Sequence, residues 1–318
     1  MKPIIKWLGG KTQCLAYIKE LMPATYNRYY EPFLGGAAVL LDLNPKEAYV
    51  NDINPELINM YIQVREDVEG VIRYLSSLDW THEQSGSDPK EVYYAVRGLF
   101  NNHRGEKTLE QAARFIYLNK HCFNGLYRVN SKGEFNVPFN GKLTGGSFDT
   151  DHLREVSKQI HDVMFLNGDF EDCVTTAEAG DFIFADPPYD NSFTDYTSAG
   201  FERDQQERVA DMFKKLSDKG CYCMLTNHDT PLIRELYKDY NIKVNKEEYI
   251  PLQEEIGLDI KPEDLQLYYS GKSNVEKVFW DDYYIKMDVP NIEKLESLET
   301  ENIEKTKKIY GFMNKASK

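Results

Sequence analysis

The chain has 318 residues, 41% of them hydrophobic and 28% charged, a balance that supports a buried core and excludes disorder, collagen and low-complexity sequence. Thirty-eight Lys and Arg stand against 52 Asp and Glu, a net charge of −14, which weighs against broad contact with a polyanion. No apolar run nears the roughly 18 residues of a membrane span, and Cys14, Cys122, Cys173, Cys221 and Cys223 form no C-x-x-C pair, so a cytoplasmic protein with free thiols, no zinc or other metal and no membrane partner is expected.

Taken in chain order, residues 29–33 read as a strand that breaks at Gly35-Gly36, 37–43 as a helix, and 48–50 as a second strand ending at Asn51-Asp52. Asn54 and Pro55 supply an N-cap and a first-turn residue to a helix in which Leu57, Ile58, Tyr61 and Val64 recur at helical spacing. From 78 to 149 the pattern turns polar and loop-rich, with one predicted helix near 109–118 and a Gly/Asn-rich stretch after it, which reads as an insertion. The alternation then resumes. A strand at 165–166 precedes Gly168-Asp169, and one at 182–185 precedes Asp186-Pro187-Pro188-Tyr189. A helix follows at 205–216, then a strand at 221–226. Strands alternating with helices predict a mainly parallel sheet covered on both faces. Residues 289–318, with six basic and five acidic side chains, read as a charged tail.

Charge is uneven along the chain. Residues 97–158 carry ten Lys and Arg against six Asp and Glu, whereas 245–288 carry five against eleven. A basic segment within an acidic protein is either a solvated face or a localised contact for an anionic partner.

In an open parallel sheet, ligands gather at the carboxyl ends of the strands. Asp52, Asp169 and Asp186 each follow a predicted strand, and Gly35-Gly36 occupies the first strand-to-helix turn. Gly there satisfies a tight turn and also permits close approach of a ligand. Asp52, 17 residues after Gly35, stands where an acid commonly accepts hydrogen bonds from ribose hydroxyls. In Asp-Pro-Pro-Tyr, the prolines remove two backbone donors and stiffen the turn, so the Asp186 carboxylate and the Pro187 carbonyl can accept the protons of an exocyclic amino group. Tyr189 offers a face on which an extruded base can stack.

Three motifs, Lys6-Trp-Leu-Gly-Gly-Lys11, Glu31-Pro-Phe-Leu-Gly-Gly36 and Asp186-Pro-Pro-Tyr189, together resemble the S-adenosylmethionine-dependent DNA adenine-N6 methyltransferases of the Dam group, in their alpha order of motifs. The resemblance extends through residues 117–128, 133–139 and Asn227-His-Asp229, and so covers about 3–229. It implies a Rossmann-like α/β methyltransferase fold with an inserted helical and hairpin target-recognition subdomain. It also implies that Trp7, Lys11, Phe33, Gly35, Gly36, Asp52, Asp169, Phe170 and Asp186 contact S-adenosylmethionine, and that Asp186, Pro187, Pro188 and Tyr189 form the catalytic motif. Lys6, Phe123, Asn124, Leu126, Arg128 and Pro138 match its DNA-reading positions. Arg and Lys suit guanine O6 and N7, and Leu126 and Pro138 suit a thymine methyl; Phe123 replaces the usual Tyr as the wedge left in the stack. Residues 268–276 and Asp281-Asp282 depart from the family's basic stretch, which implies fewer phosphate contacts.

The resulting expectation is methyl transfer to adenine N6 in duplex DNA, within GATC, by base flipping, in a monomer. Cytosine-N4 or RNA-base methylation and a non-catalytic DNA-binding role are the alternatives. The expected division is a cofactor-binding catalytic domain at 1–60 and 150–288, an inserted recognition domain at 61–149 and the tail at 289–318.

Overall fold

The computed structural model describes residues 1–83, 86, 88–142, 146–190 and 201–243. The tail at 289–318, the end of the catalytic segment at 288 and the departures at 268–282 lie outside them. Met1–Asp190 and Thr194–Asp239 form one compact unit.

Its helices are α1 (Leu15–Leu21), α2 (Ala38–Leu43), α3 (Pro55–Glu66), α4 (Val68–Glu83), α5 (Pro89–Asn102), α6 (Leu109–His121), α7 (Thr150–Gln159), α8 (Phe170–Cys173), α9 (Arg203–Asp218) and α10 (Pro231–Leu236). The strands are β1 (Tyr29–Glu31), β2 (Ala48–Asn51), β3 (Val163–Leu166), β4 (Phe182–Ala185) and β5 (Tyr222–Leu225). All pairings are parallel, in the order β3-β2-β1-β4-β5. The chain winds outward from β1 to β3, then returns to the other side of β1 for β4 and β5. The switch point therefore lies between β1 and β4, and the crevice outside their carboxyl ends is where such a sheet binds ligands.

The sequence accounts for the ends of these elements. Asn54 Oδ1 accepts from the amides of Glu56 (3.0 Å) and Leu57 (3.3 Å), and Pro55 opens α3 where no intrahelical donor is needed. On one face of the sheet, Tyr30 and Ile183 pack with Val209, Met212 and Leu216 of α9 and with Phe170 and Cys173 of α8. Tyr61 of α3 is fully buried and stacks on Phe165 at 5.7 Å.

The interval 78–149 differs from its predicted loop-rich character. α4 runs on to Glu83, α5 fills 89–102, and α6 continues to His121. In α5, Val92, Tyr93, Val96 and Phe100 are buried, and its start carries the same capping pair as α3: Asp88 Oδ1 accepts from the Lys90 amide at 2.9 Å, with Pro89 in the first turn. Beyond α6 the chain folds into a hairpin-like loop. Isolated antiparallel bridges join Cys122 to Phe139 and Val129 to Phe135, and Asn130 Oδ1 accepts from the amides of Lys132 and Glu134 to close the tip.

Candidate active site

The site begins in the loop after β1. Gly35 has φ +49 and its amide donates to Asp52 Oδ2 at 2.9 Å, while Asp52 Oδ1 accepts from the Asn54 amide at 2.9 Å. One carboxylate thus ties the glycine turn to the end of β2 and the start of α3. Burial raises the Asp52 pKa and the two amides oppose that rise. Each oxygen keeps a lone pair after these bonds, which suits a vicinal diol. Asn51 braces the same region by donating to the carbonyls of Pro32 and Gly168, both at 3.1 Å.

Trp7 covers the turn. A Cβ on Gly35 would stand 3.0 Å from Trp7 Cδ1, and one on Gly36 would stand 3.0 Å from Trp7 Cβ, so the two glycines let the indole approach this closely. Trp7 also stacks on Tyr127 at 5.6 Å and meets Phe115 edge-on at 6.3 Å. The indole therefore lies between the turn and the segment that follows α6.

Asp186 leaves the end of β4 with both oxygens engaged. Lys11 Nζ is 2.7 Å from Oδ2, and the Thr226 hydroxyl donates to Oδ1 at 2.5 Å. Burial lowers the Lys11 pKa, but Asp186 more than offsets this and the ammonium titrates above its usual range. Its nitrogen also lies 4.9 Å from the Tyr189 ring centroid. Burial pushes the Tyr189 phenol upward, so it stays neutral, and His228 packs edge-on to its ring at 4.7 Å. Glu31, at the end of β1 and 2% exposed, accepts from the Tyr29 hydroxyl at 2.9 Å. Burial drives its pKa up to about 8, with the Asp186 charge adding to the rise.

The prolines present their carbonyls differently. The Pro188 carbonyl accepts from Gln206 Nε2 at 2.8 Å. The Pro187 carbonyl accepts no hydrogen bond among the described residues. Gln206 Oε1 in turn accepts from Asn227 Nδ2 at 2.9 Å, and Asn227 Oδ1 accepts from the amides of Asp190 (2.9 Å) and His228 (2.8 Å). The whole Asp-Pro-Pro-Tyr turn is thereby bolted to α9 and to the loop after β5.

At the β3 end, Asp169 caps α8 and pairs with Arg208 at 2.9 Å. Burial alone would raise its pKa, but the Arg208 bond and the Glu171 amide hold it below the ordinary value. Phe170 is 6% exposed, with Phe33 stacked at 5.1 Å and the Arg208 guanidinium 4.7 Å from its centroid. Phe33 is the more exposed ring of the pair.

Of the positions matched to DNA reading, Lys6 and Asn124 are exposed, and Phe123, Arg128 and Pro138 are half-buried. Leu126 is only 6% exposed. The Phe123 amide donates to the Pro138 carbonyl at 2.9 Å, and Arg128 Nε donates to Asn136 Oδ1 at 2.7 Å. Sequence reasoning missed Glu31, Gln206, Thr226 and Asn227 as parts of the site. For Thr226 and Asn227 a signal existed, since one ends and the other follows the last predicted strand; Gln206, in the first turn of α9, carries none.

A doubly wound parallel sheet with a glycine turn, an acid on the neighbouring strand and Asp-Pro-Pro-Tyr at the switch point is the arrangement of a group-transfer enzyme acting on an amine. The chain belongs to the D12 class N6 adenine-specific DNA methyltransferases, whose family model matches residues 7–250. It is 41% identical over 251 residues to the Type II methyltransferase M1.LlaDCHI of Lactococcus lactis subsp. cremoris, covering 76% of this chain and 86% of the relative. To the Type II methyltransferase M.MjaIII of Methanocaldococcus jannaschii it is 41% identical over 260 residues, covering 76% and 90%. To the DNA adenine methylase of Haemophilus influenzae it is 35% identical over 248 residues, covering 76% and 85%.

Proposed function

We propose that this methyltransferase takes its methyl group from S-adenosylmethionine and delivers it to N6 of an adenine flipped out of duplex DNA, within GATC. The observation that carries the reading is the pair of acceptors beyond β4: a fixed Asp186 carboxylate and a Pro187 carbonyl without a donor among the described residues.

The amino group of adenine is a poor nucleophile because its lone pair is delocalised into the ring. Two acceptors on its two protons return electron density to nitrogen and fix its direction, and they act without reorganising because the turn is already held. Lys11 and Thr226 orient the carboxylate and leave each oxygen a lone pair for the amine. A neutral Glu31 keeps a second negative charge away from Asp186. Tyr189 supplies an aromatic surface for the extruded base.

S-Adenosylmethionine, when bound, supplies a methyl group activated on a sulfonium. The residues present fit it: Asp52 has lone pairs for the ribose hydroxyls, the Gly35-Gly36 turn admits close approach, and Phe33 with Phe170 forms an aromatic wall. Trp7, Lys11, Phe33, Gly35, Gly36, Asp52, Asp169, Phe170 and Asp186 would hold it. Lys6, Phe123, Asn124, Arg128 and Pro138 would face the DNA, Leu126, only 6% exposed, would support the loop from within, and the proposed division keeps 61–149 as the recognition insertion between 1–60 and 150–288.

Single-molecule sequencing of methylated positions in plasmid co-expressed with the enzyme tests the target. The expected modification is on the adenine of GATC; methylation at another motif would overturn that specificity while leaving the reaction intact.

A further inference from the structure

Asn119, at the end of α6, is 6% exposed and spans 113 residues of sequence to reach Lys6. Its Oδ1 accepts from the Lys6 amide at 2.9 Å, and its Nδ2 donates to the Lys6 carbonyl at 2.8 Å and to the Gly125 carbonyl at 2.8 Å. The side-chain amide pairs with the Lys6 backbone as a neighbouring strand would, and uses its second N–H on the turn at 123–125. Only one orientation of the amide serves these partners, since one is a donor and two are acceptors. A second observation joins the same two segments. Gly125 has φ +68, and a Cβ on it would stand 2.7 Å from Lys6 Cβ, so the Lys6 stem lies directly on the turn.

We propose that Asn119 is a positioning residue for sequence readout, one that sets the exit of the Lys6 side chain relative to Phe123 and Asn124. The inference rests on the reading that these residues face DNA. A long, flexible lysine reads a base edge only where its backbone is fixed against the rest of the interface, because loosely held donors contact phosphates as readily as bases. Asn119 makes one rigid piece of the N-terminal segment and the turn after α6. Asn119→Asp preserves shape and the bond from the Lys6 amide, but it removes both donors and turns a carboxylate oxygen toward two carbonyls.

The test measures kcat/KM on duplexes carrying the site this enzyme methylates and on each singly substituted version, for wild type, Lys6→Ala, Asn119→Asp and the double variant. Binding of S-adenosylhomocysteine reports folding of the cofactor side. The expected result is that Lys6→Ala relaxes discrimination at one base pair by roughly tenfold or more, the size of one oriented base contact. Asn119→Asp should relax the same base pair, the double variant should be no worse than the singles, and S-adenosylhomocysteine affinity should stay within about twofold. If Lys6→Ala relaxes one position and Asn119→Asp weakens all duplexes equally, the positioning role is overturned while base reading by Lys6 stands. If Lys6→Ala leaves discrimination intact at every position, base reading fails and the inference with it. Should Asn119→Asp also lose S-adenosylhomocysteine binding, Gly125→Ala decides: it presses on the Lys6 stem from the turn side, and unchanged discrimination in that variant overturns the proposal.

Discussion

At the scale of single residues, the site is a set of charges held apart by burial. Lys11 and Asp186 form an ion pair in which the lysine is buried and the aspartate half-buried, and such a pair gains little over an apolar one but costs up to about 3 to 5 kcal/mol when one member is removed. Its use here is orientation rather than stability. Glu31 lies near this pair and holds its proton up to about pH 8. Below about pH 4.5, its ordinary value, folded and unfolded states both carry that proton and its contribution is whole. Between there and about pH 8 only the folded state keeps it, so stability falls as pH rises, by about 3 to 5 kcal/mol over the window. Above about pH 8 there is no further change. Urea unfolding of wild type and Glu31→Gln at pH 5, 6.5 and 8 checks this: the difference between the two proteins should shift steadily in favour of the variant, and a constant difference would place the Glu31 titration elsewhere. The sequence shows Asp186 and Lys11 as separate members of two motifs; their contact, 175 positions apart, and the donation from Thr226 come from the sheet order and have no local signal.

At the scale of elements, three helices start with a capping residue followed by proline: Asn54-Pro55, Asp88-Pro89 and Thr230-Pro231. Apolar periodicity predicts the first and misses α5, whose buried Val92, Tyr93, Val96 and Phe100 are diluted by Asn, Arg and Gly. The capping pair is the better signal there, because it states where the first unpaired amides are satisfied. The strands are legible for another reason: 182–185, fully buried, and 48–50, buried except for Tyr49, are short apolar runs followed by Asp or Asn. What joins elements is less visible. Gln206 links α9 to the Pro188 carbonyl and to Asn227 beyond β5. Gln206→Leu should leave two part-buried polar groups, the Pro188 carbonyl and Asn227 Nδ2, without this partner, at up to about 1 to 3 kcal/mol each, and release the turn. Steady-state kinetics should show kcat falling while S-adenosylhomocysteine affinity changes little; an unchanged kcat in the folded variant would reduce Gln206 to a structural bond.

At the scale of the whole molecule, a net charge of −14 coexists with DNA as substrate because positive charge is concentrated, ten basic against six acidic side chains, in residues 97–158. Arg128 sits within that stretch with its guanidinium plane fixed through Asn136. If it reads a base, Arg128→Ala costs about 1 to 3 kcal/mol on the cognate duplex and relaxes one base pair. Uniform loss on all duplexes, with the salt slope lower by about one, would make it a phosphate contact. The fold class and the Asp-Pro-Pro-Tyr turn beyond β4 were legible in short contiguous motifs, whereas the proposed recognition surface depends on how the N-terminal segment meets the turn after α6, which no local pattern encodes. The central claim is that Asp186 drives methyl transfer to adenine N6. The most direct measurement is nucleoside mass spectrometry of plasmid recovered from a host without its own adenine methylation, expressing either wild type or Asp186→Ala. The account predicts N6-methyldeoxyadenosine from the wild type and a large loss of it from the variant; N4-methyldeoxycytidine as the wild-type product, or undiminished methylation by the variant, would contradict it.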